Sequence, residues 1–152
     1  MIKSFDQLEL LLAEFSRVVS AMDEASFVNK PSPEKWSKME ILGHLCDSAA
    51  NNHVRFMRIL TTDEPITMDG YAQDDWVKRH GYQHYYHREE LLLLWNQLNG
   101  LILNALRSAT ESDGAKRCVL TDGTSLTLDE LFEDYIRHAE HHLGQIRDIR
   151  RE

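Results

Sequence analysis

Basic residues are outnumbered in this chain: 17 Lys and Arg stand against 25 Asp and Glu, a formal net charge of −8. That balance excludes broad electrostatic binding to nucleic acid or to anionic membranes. Cysteine is nearly absent. Cys46 and Cys118 lie far apart and form no CxxC pair, so the sequence offers neither a disulfide framework nor a thiolate metal site. A reducing, cytoplasmic setting is the expectation. Apolar runs are short, and the longest, Leu91 to Trp95, cannot span a bilayer. The opening stretch MIKSFDQLELLLAEF carries charges within its apolar part and fails as a secretory signal. Proline and glycine are scarce, 3 and 7 of 152 residues, which leaves room for long helices. The length predicts one domain over residues 1–152.

Four segments carry helical periodicity. The first runs from about Ser4, a plausible N-cap, to Asp23, with Phe5, Leu8, Leu11, Leu12, Phe15, Val18 and Val19 at spacings of three and four. Two prolines in the following NKPSPEKW stop any helix. The second helix opens at Ser37, where Ser37-Lys-Met-Glu40 is a capping box, and continues to about Leu60. Trp36 before the cap and Ile41 after it could form a hydrophobic staple. Thr61 to His87 is expected to be long and irregular, with one amphipathic piece near Asp74 to His80. Such a connection in a small bundle crosses an end or covers a site. The third helix spans about Arg88 to Ser108 on the stripe Leu91, Leu92, Trp95, Leu98, Ile102, Leu106. Asp122-Gly123 between apolar residues predicts a hairpin, with arms short enough for a ribbon only. The fourth helix starts near Leu128, with Thr127 and Glu130 as a second capping box, and runs to the C-terminus. The fold class is therefore all-α: a four-helix bundle with a long connection between its second and third helices and a short β-ribbon before the last.

Eight histidines are many for this length, and the densest cluster is His138-Ala-Glu-His141-His142. A pair at i, i+4 puts two imidazoles on one helix face, a spacing suited to a single metal ion. A pair at i, i+3 would also serve, so phase must choose. At about 100° per residue, Leu128, Leu131, Phe132, Tyr135, Ala139, Leu143, Ile146 and Ile149 define one stripe. His142 lies about 40° from its centre, His138 about 80° on the same side, and His141 roughly 140° away. His138 and His142 thus face the core boundary together. Taken alone, His44 reads as a core-edge histidine of the second helix. The facing pair makes it the candidate third ligand. Ser48, Asn51 and Arg55 extend its edge of the helix and could line a pocket. Three imidazoles with open positions suit a catalytic metal. Asp47, one turn from His44, and Asp134, one turn before His138, are candidates to accept the far imidazole N–H.

Plainer readings hold elsewhere. His80, His84 and His87 lie in the connection, with no helix to set their geometry, and read as a polar loop. Cys46 is about 200° around the helix from His44 and reads as a small core residue. Trp36, Trp76 and Trp95 read as core or lid packing.

The stretch Trp36-Ser-Lys-Met-Glu-Ile-Leu-Gly-His44-Leu-Cys-Asp47 resembles the second-helix motif of the DinB/YfiT-like superfamily. The ending His138-Ala-Glu-His-His142-Leu-Gly-Gln-Ile146 resembles its last helix, and Asp122-Gly-Thr-Ser-Leu-Thr-Leu the segment leading into it. In order and spacing the resemblance covers essentially the whole chain. It implies up-down-down-up topology, a common homodimer, and a three-histidine site for one divalent ion at His44, His138 and His142. Zinc or nickel is the first expectation, iron or manganese the next. It further implies thiol S-transferase, isomerase or hydrolase chemistry on a small-molecule substrate, with a low-molecular-weight thiol as one co-substrate, in stress response or detoxification. The alternative is a metal-stabilised binding or dimerisation module without turnover. Nucleic acid and membrane are not expected partners.

Overall fold

A computed structural model describes residues 2–148. Four long helices form the bundle: α1 (Ile2–Ala21), α3 (Lys38–Leu60), α6 (Arg88–Arg107) and α8 (Leu128–Asp148). α3 packs against α6 and α8, and α1 packs against the same two. Each turns its apolar stripe inward. Leu128, Leu131, Phe132, Tyr135, Ala139, Leu143 and Ile146 of α8 are all buried, as the periodicity predicts. Ile149 and the expected run to the C-terminus lie outside the described residues. None of the described helices is long and apolar enough to cross a membrane.

Local chemistry explains the boundaries. Both capping boxes form. The Glu40 N–H donates to Ser37 Oγ at 3.1 Å while Glu40 Oε2 accepts the Ser37 N–H at 2.9 Å. Thr127 and Glu130 do the same at 3.1 and 2.8 Å. Ser4 is not an N-cap: α1 already runs at Ile2, and Ser4 is buried inside it. α1 stops at Ala21 because Asp23 caps a further short helix, α2 (Glu24–Val28), its Oδ1 accepting the Ser26 N–H.

The long connection is more ordered than its composition indicates. It holds a strand, β1 (Ile66–Met68), the expected amphipathic helix as α4 (Gln73–His80), and a further turn, α5 (Tyr82–Tyr85). After α6 and the short α7 (Glu111–Gly114) comes the hairpin of β2 (Arg117–Leu120) and β3 (Ser125–Thr127). Gly123 takes a φ of 88°, as a tight turn requires. The ribbon is not alone: β1 pairs with β2 in parallel, Ile66 opposite Cys118, so the sheet has three strands in the order β1-β2-β3. That pairing joins segments some fifty residues apart, beyond the reach of a local turn signal.

The connection clamps onto α3. Tyr82 is buried over Gly43, where a Cβ would fall inside the tyrosine ring. The Gln83 amide donates to the Val28 carbonyl at 2.5 Å, and its oxygen accepts from the Ser37 hydroxyl. Gly43→Ala should therefore destabilise the protein by about 1–3 kcal/mol through overpacking. Gly100→Ala, in α6 with open space around the new methyl, should stabilise it by up to about 1 kcal/mol through helix propensity. Urea midpoints of the two variants check this; equal shifts would show that Tyr82 does not sit tightly on α3.

Candidate metal centre

α3 and α8 bring the three histidines together. His44 Nε2 lies 3.3 Å from His138 Nε2, and His142 Nε2 lies 3.1 Å from the same atom. One ligand nitrogen from each fits within 4.8 Å of the others. His44 is 1% exposed, His142 8%, and His138 is half-buried. His141 is exposed and outside the cluster. The helical phase of α8 produces this: one turn stacks His138 and His142, while His141 points away. His80, His84 and His87 are not part of the cluster.

Burial sets the charge state. It pushes His44 down to about 3, with the charges of His142 and His138 adding to the effect. It pushes His142 down to about 4, against a hydrogen bond donated to Gln145 that favours the charged form. His138 is also lowered, first by burial and then by His141. At neutral pH all three imidazoles are neutral, the form that ligates a metal. His142 Nδ1 lies 2.8 Å from Gln145 Oε1. An amide oxygen only accepts, so Nδ1 carries the proton and Nε2 turns its lone pair towards the cluster. Three facing neutral nitrogens with few donors among them are a donor set that fits a divalent transition ion.

The surrounding groups differ from expectation. Asp47 does not orient His44. Its Oδ1 accepts from the Tyr82 hydroxyl at 2.6 Å and lies 3.1 Å from His80 Nδ1, so it faces the connection. His44 Nδ1 is buried without a hydrogen-bond partner, and the ring is held by Trp36 instead, centroids 4.7 Å apart. Asp134 forms an ion pair with the Arg137 guanidinium at 3.0 Å and acts on His138 only through its charge. Gln145 was not singled out by the sequence, although its i, i+3 relation to His142 is a readable signal. Cys46 is a buried core residue whose thiol donates to the Leu91 carbonyl at 3.3 Å.

Beside the cluster lies a pocket of about 210 Å³, walled by α3, α8, the sheet and the connection. Its lining includes His138 and Asp134 of α8, Ser48, Asn52 and Arg55 of α3, and Tyr71 of the connection. Asn52 takes the place foreseen for Asn51, whose amide turns back to the Asp47 carbonyl at 2.8 Å.

Residues 7–146 match the sequence profile of the DinB superfamily. The chain belongs to that superfamily. Two relatives bear the name "Putative metal-dependent hydrolase". BH0277 of Halalkalibacterium halodurans is 23% identical over 140 residues, 92% of this chain and 80% of the relative. YfiT of Bacillus subtilis is 24% identical over 145 residues, 95% and 80%. The solved structure of YfiT, described as having an unusual four-helix bundle topology, superposes with a TM-score of 0.88 at 23% identity, covering 98% of this chain and 85% of that one. A mycothiol-dependent maleylpyruvate isomerase shares the fold with a TM-score of 0.73 at 17% identity, covering 93% of this chain and 58% of its own. This DinB-superfamily chain is thus a four-helix bundle, as its sequence predicts, with a small sheet at one side.

The depressed histidines give a pH signature in chelator-treated protein. In the unfolded chain they titrate near 6.5, in the fold only towards about 3 for His44 and about 4 for His142. Between those values the unfolded state binds more protons, so stability falls as pH drops below about 6.5. Urea midpoints measured from about pH 7 down to about pH 4.5 should fall steeply for the parent and less steeply for His44→Asn. Identical slopes would contradict a desolvated His44.

Proposed function

We propose that this chain is a metal-dependent enzyme acting on a small molecule, with one divalent ion held by His44, His138 and His142. Zinc or nickel is the first choice for an all-imidazole donor set, iron or manganese the second. The observation that carries the reading is the pocket of about 210 Å³ bounded by His138, a member of the cluster. A structural zinc site is closed by four protein ligands, whereas a catalytic one keeps a position open. Among the described residues three histidines converge here, which disfavours a purely structural module. A bound ion would supply a Lewis acid that activates water or a low-molecular-weight thiol against an electrophilic substrate. Gln145 holds His142 in the ligating tautomer, and Trp36 covers the His44 ring. The names of the relatives favour water as nucleophile, and the thiol-dependent fold neighbour keeps a thiol in view. A homodimer and a cytoplasmic setting belong to the same proposal. Leu94 and Leu101, one heptad apart and exposed on α6, offer an apolar face for a dimer.

Elemental analysis of protein purified without added metal should find a divalent ion near one equivalent. His138→Ala with His142→Ala should abolish that binding, and His141→Ala should keep it. Retention by the double variant would sink the assignment. Metal-loaded and chelated protein, offered an activated ester in water and then an electrophile with a small thiol, separate the two nucleophiles. Equal rates with and without metal in both assays would leave only the non-catalytic module.

A further inference from the structure

The polar face of α3 continues past the histidine cluster. Ser48, Asn52 and Arg55 follow His44 at successive turns, and the last lies about 16 Å along the helix axis from the first. Arg55 lines the pocket that also reaches His138. One Nη2–H donates to the Asp69 carbonyl at 2.7 Å. Among the described residues no carboxylate lies within ion-pair distance of this guanidinium, although acidic side chains outnumber basic ones by 25 to 17. Tyr71 lines the same pocket, and its hydroxyl is buried without a hydrogen-bond partner. Leu120, Leu126 and Leu131 also line the pocket. A cation left without a counter-ion and an orphaned hydroxyl, beside an apolar wall, form half of a binding site.

We infer that this pocket takes a small organic monocarboxylate, its carboxylate between Arg55 and Tyr71 and its apolar body against Leu120, Leu126 and Leu131. The guanidinium fork matches a carboxylate. Tyr71 keeps its proton at neutral pH, since burial and the Asp47 charge push it up to about 12 against the pull of Arg55, so it stands ready to donate. Asp134 lines the pocket with His138, and its charge disfavours a second carboxylate there. The volume of about 210 Å³ is below that of pockets for drug-sized ligands, which selects a short body. The inference deepens the proposed function by naming its substrate class, and rests on that reading only for what happens at the histidines. Recognition of the carboxylate needs no ion.

The test titrates butyrate, with butyramide as the neutral control, into zinc-loaded and chelator-treated protein, followed by calorimetry and by the Tyr71 and Arg55 side-chain NMR signals. Butyrate should bind both forms. Arg55→Met should weaken it about tenfold or more, Tyr71→Phe severalfold, and Arg55→Lys should restore part of the loss. Butyramide should be indifferent to all three. Butyrate binding that survives in folded Arg55→Met, or that appears only with zinc and ignores Arg55 and Tyr71, would overturn the inference and leave the metal reading standing. Arg55-dependent binding in a protein that takes up no zinc would uphold it and sink the metalloenzyme. Should Arg55→Met fail to fold, Arg55→Lys and Tyr71→Phe decide: unchanged butyrate affinity in both overturns the inference.

Discussion

The site depends on α3 and α8 holding three imidazoles edge-on to one another, their Nε2 atoms converging where water is scarce. Such an arrangement is unfavourable by itself: each ring is desolvated, and like-facing lone pairs repel. It persists because the apolar seam beside it is firm. Phe56 of α3 meets Phe132 and Tyr135 of α8 edge-on, centroids 6.0 and 5.9 Å apart. Such aromatic pairs contribute roughly 0.5–1.5 kcal/mol each beyond their buried area. The Tyr135 hydroxyl donates to Asn99 Oδ1 at 2.7 Å, which ties α8 to α6 as well. The helix pair is thus fixed by packing, and the histidines take the spacing it dictates.

A second polar centre lies one turn further along α3, at Asp47. Asp47 is 3% exposed, and burial drives its carboxyl upward against the hydrogen bonds from Tyr82 and His80 that pull it down. A carboxylate so placed destabilises unless it is paired, and both of its partners come from the connection. α4 and α5 have 8 and 4 residues, too few to be stable helices alone. They exist because Tyr82 lies over Gly43 and reaches Asp47, and because Gln83 reaches Ser37 and Val28. The connection therefore borrows its order from the first turns of α3, the same turns that carry His44. Histidine-cluster geometry and connection order are coupled through one stretch of helix.

How much of this the sequence discloses follows from range. Features written within one or two helical turns are legible: the four stripes, the capping boxes at Ser37 and Thr127, the turn at Gly123, and the phase that sets His141 apart from His138 and His142. Features that depend on what arrives from elsewhere are not. Asp47 stands one turn from His44 and looks like its hydrogen-bond partner, but Tyr82, thirty-five residues on, claims it. β1 has three residues and no turn joining it to β2, so its parallel pairing leaves no local trace. Gln145 was legible in principle, since i, i+3 is a side-chain contact distance, but an amide near the end of a charged helix carries no mark of its role. His44 is legible as a member of the cluster only through the histidine pair across the bundle and the motif Trp36 to Asp47 around it.

The bundle itself says little about chemistry. YfiT shares it at 23% identity with a TM-score of 0.88, and a protein with a different described activity shares it at 0.73. What distinguishes one such bundle from another has to be written on the faces that border the pocket. On α3 that face is a row at helical spacing, Ser48, Asn52 and Arg55, continuing from His44. Because the row is carried on one rigid helix, the distance between the histidine cluster and the guanidinium is set by helical rise and not by loop conformation. Substitutions at 48, 52 or 55 can therefore change what the pocket holds, while Ile41, Leu45 and Phe56 on the buried face keep the cluster assembled. The histidine cluster and the pocket row are separable on this helix because they occupy different turns of it.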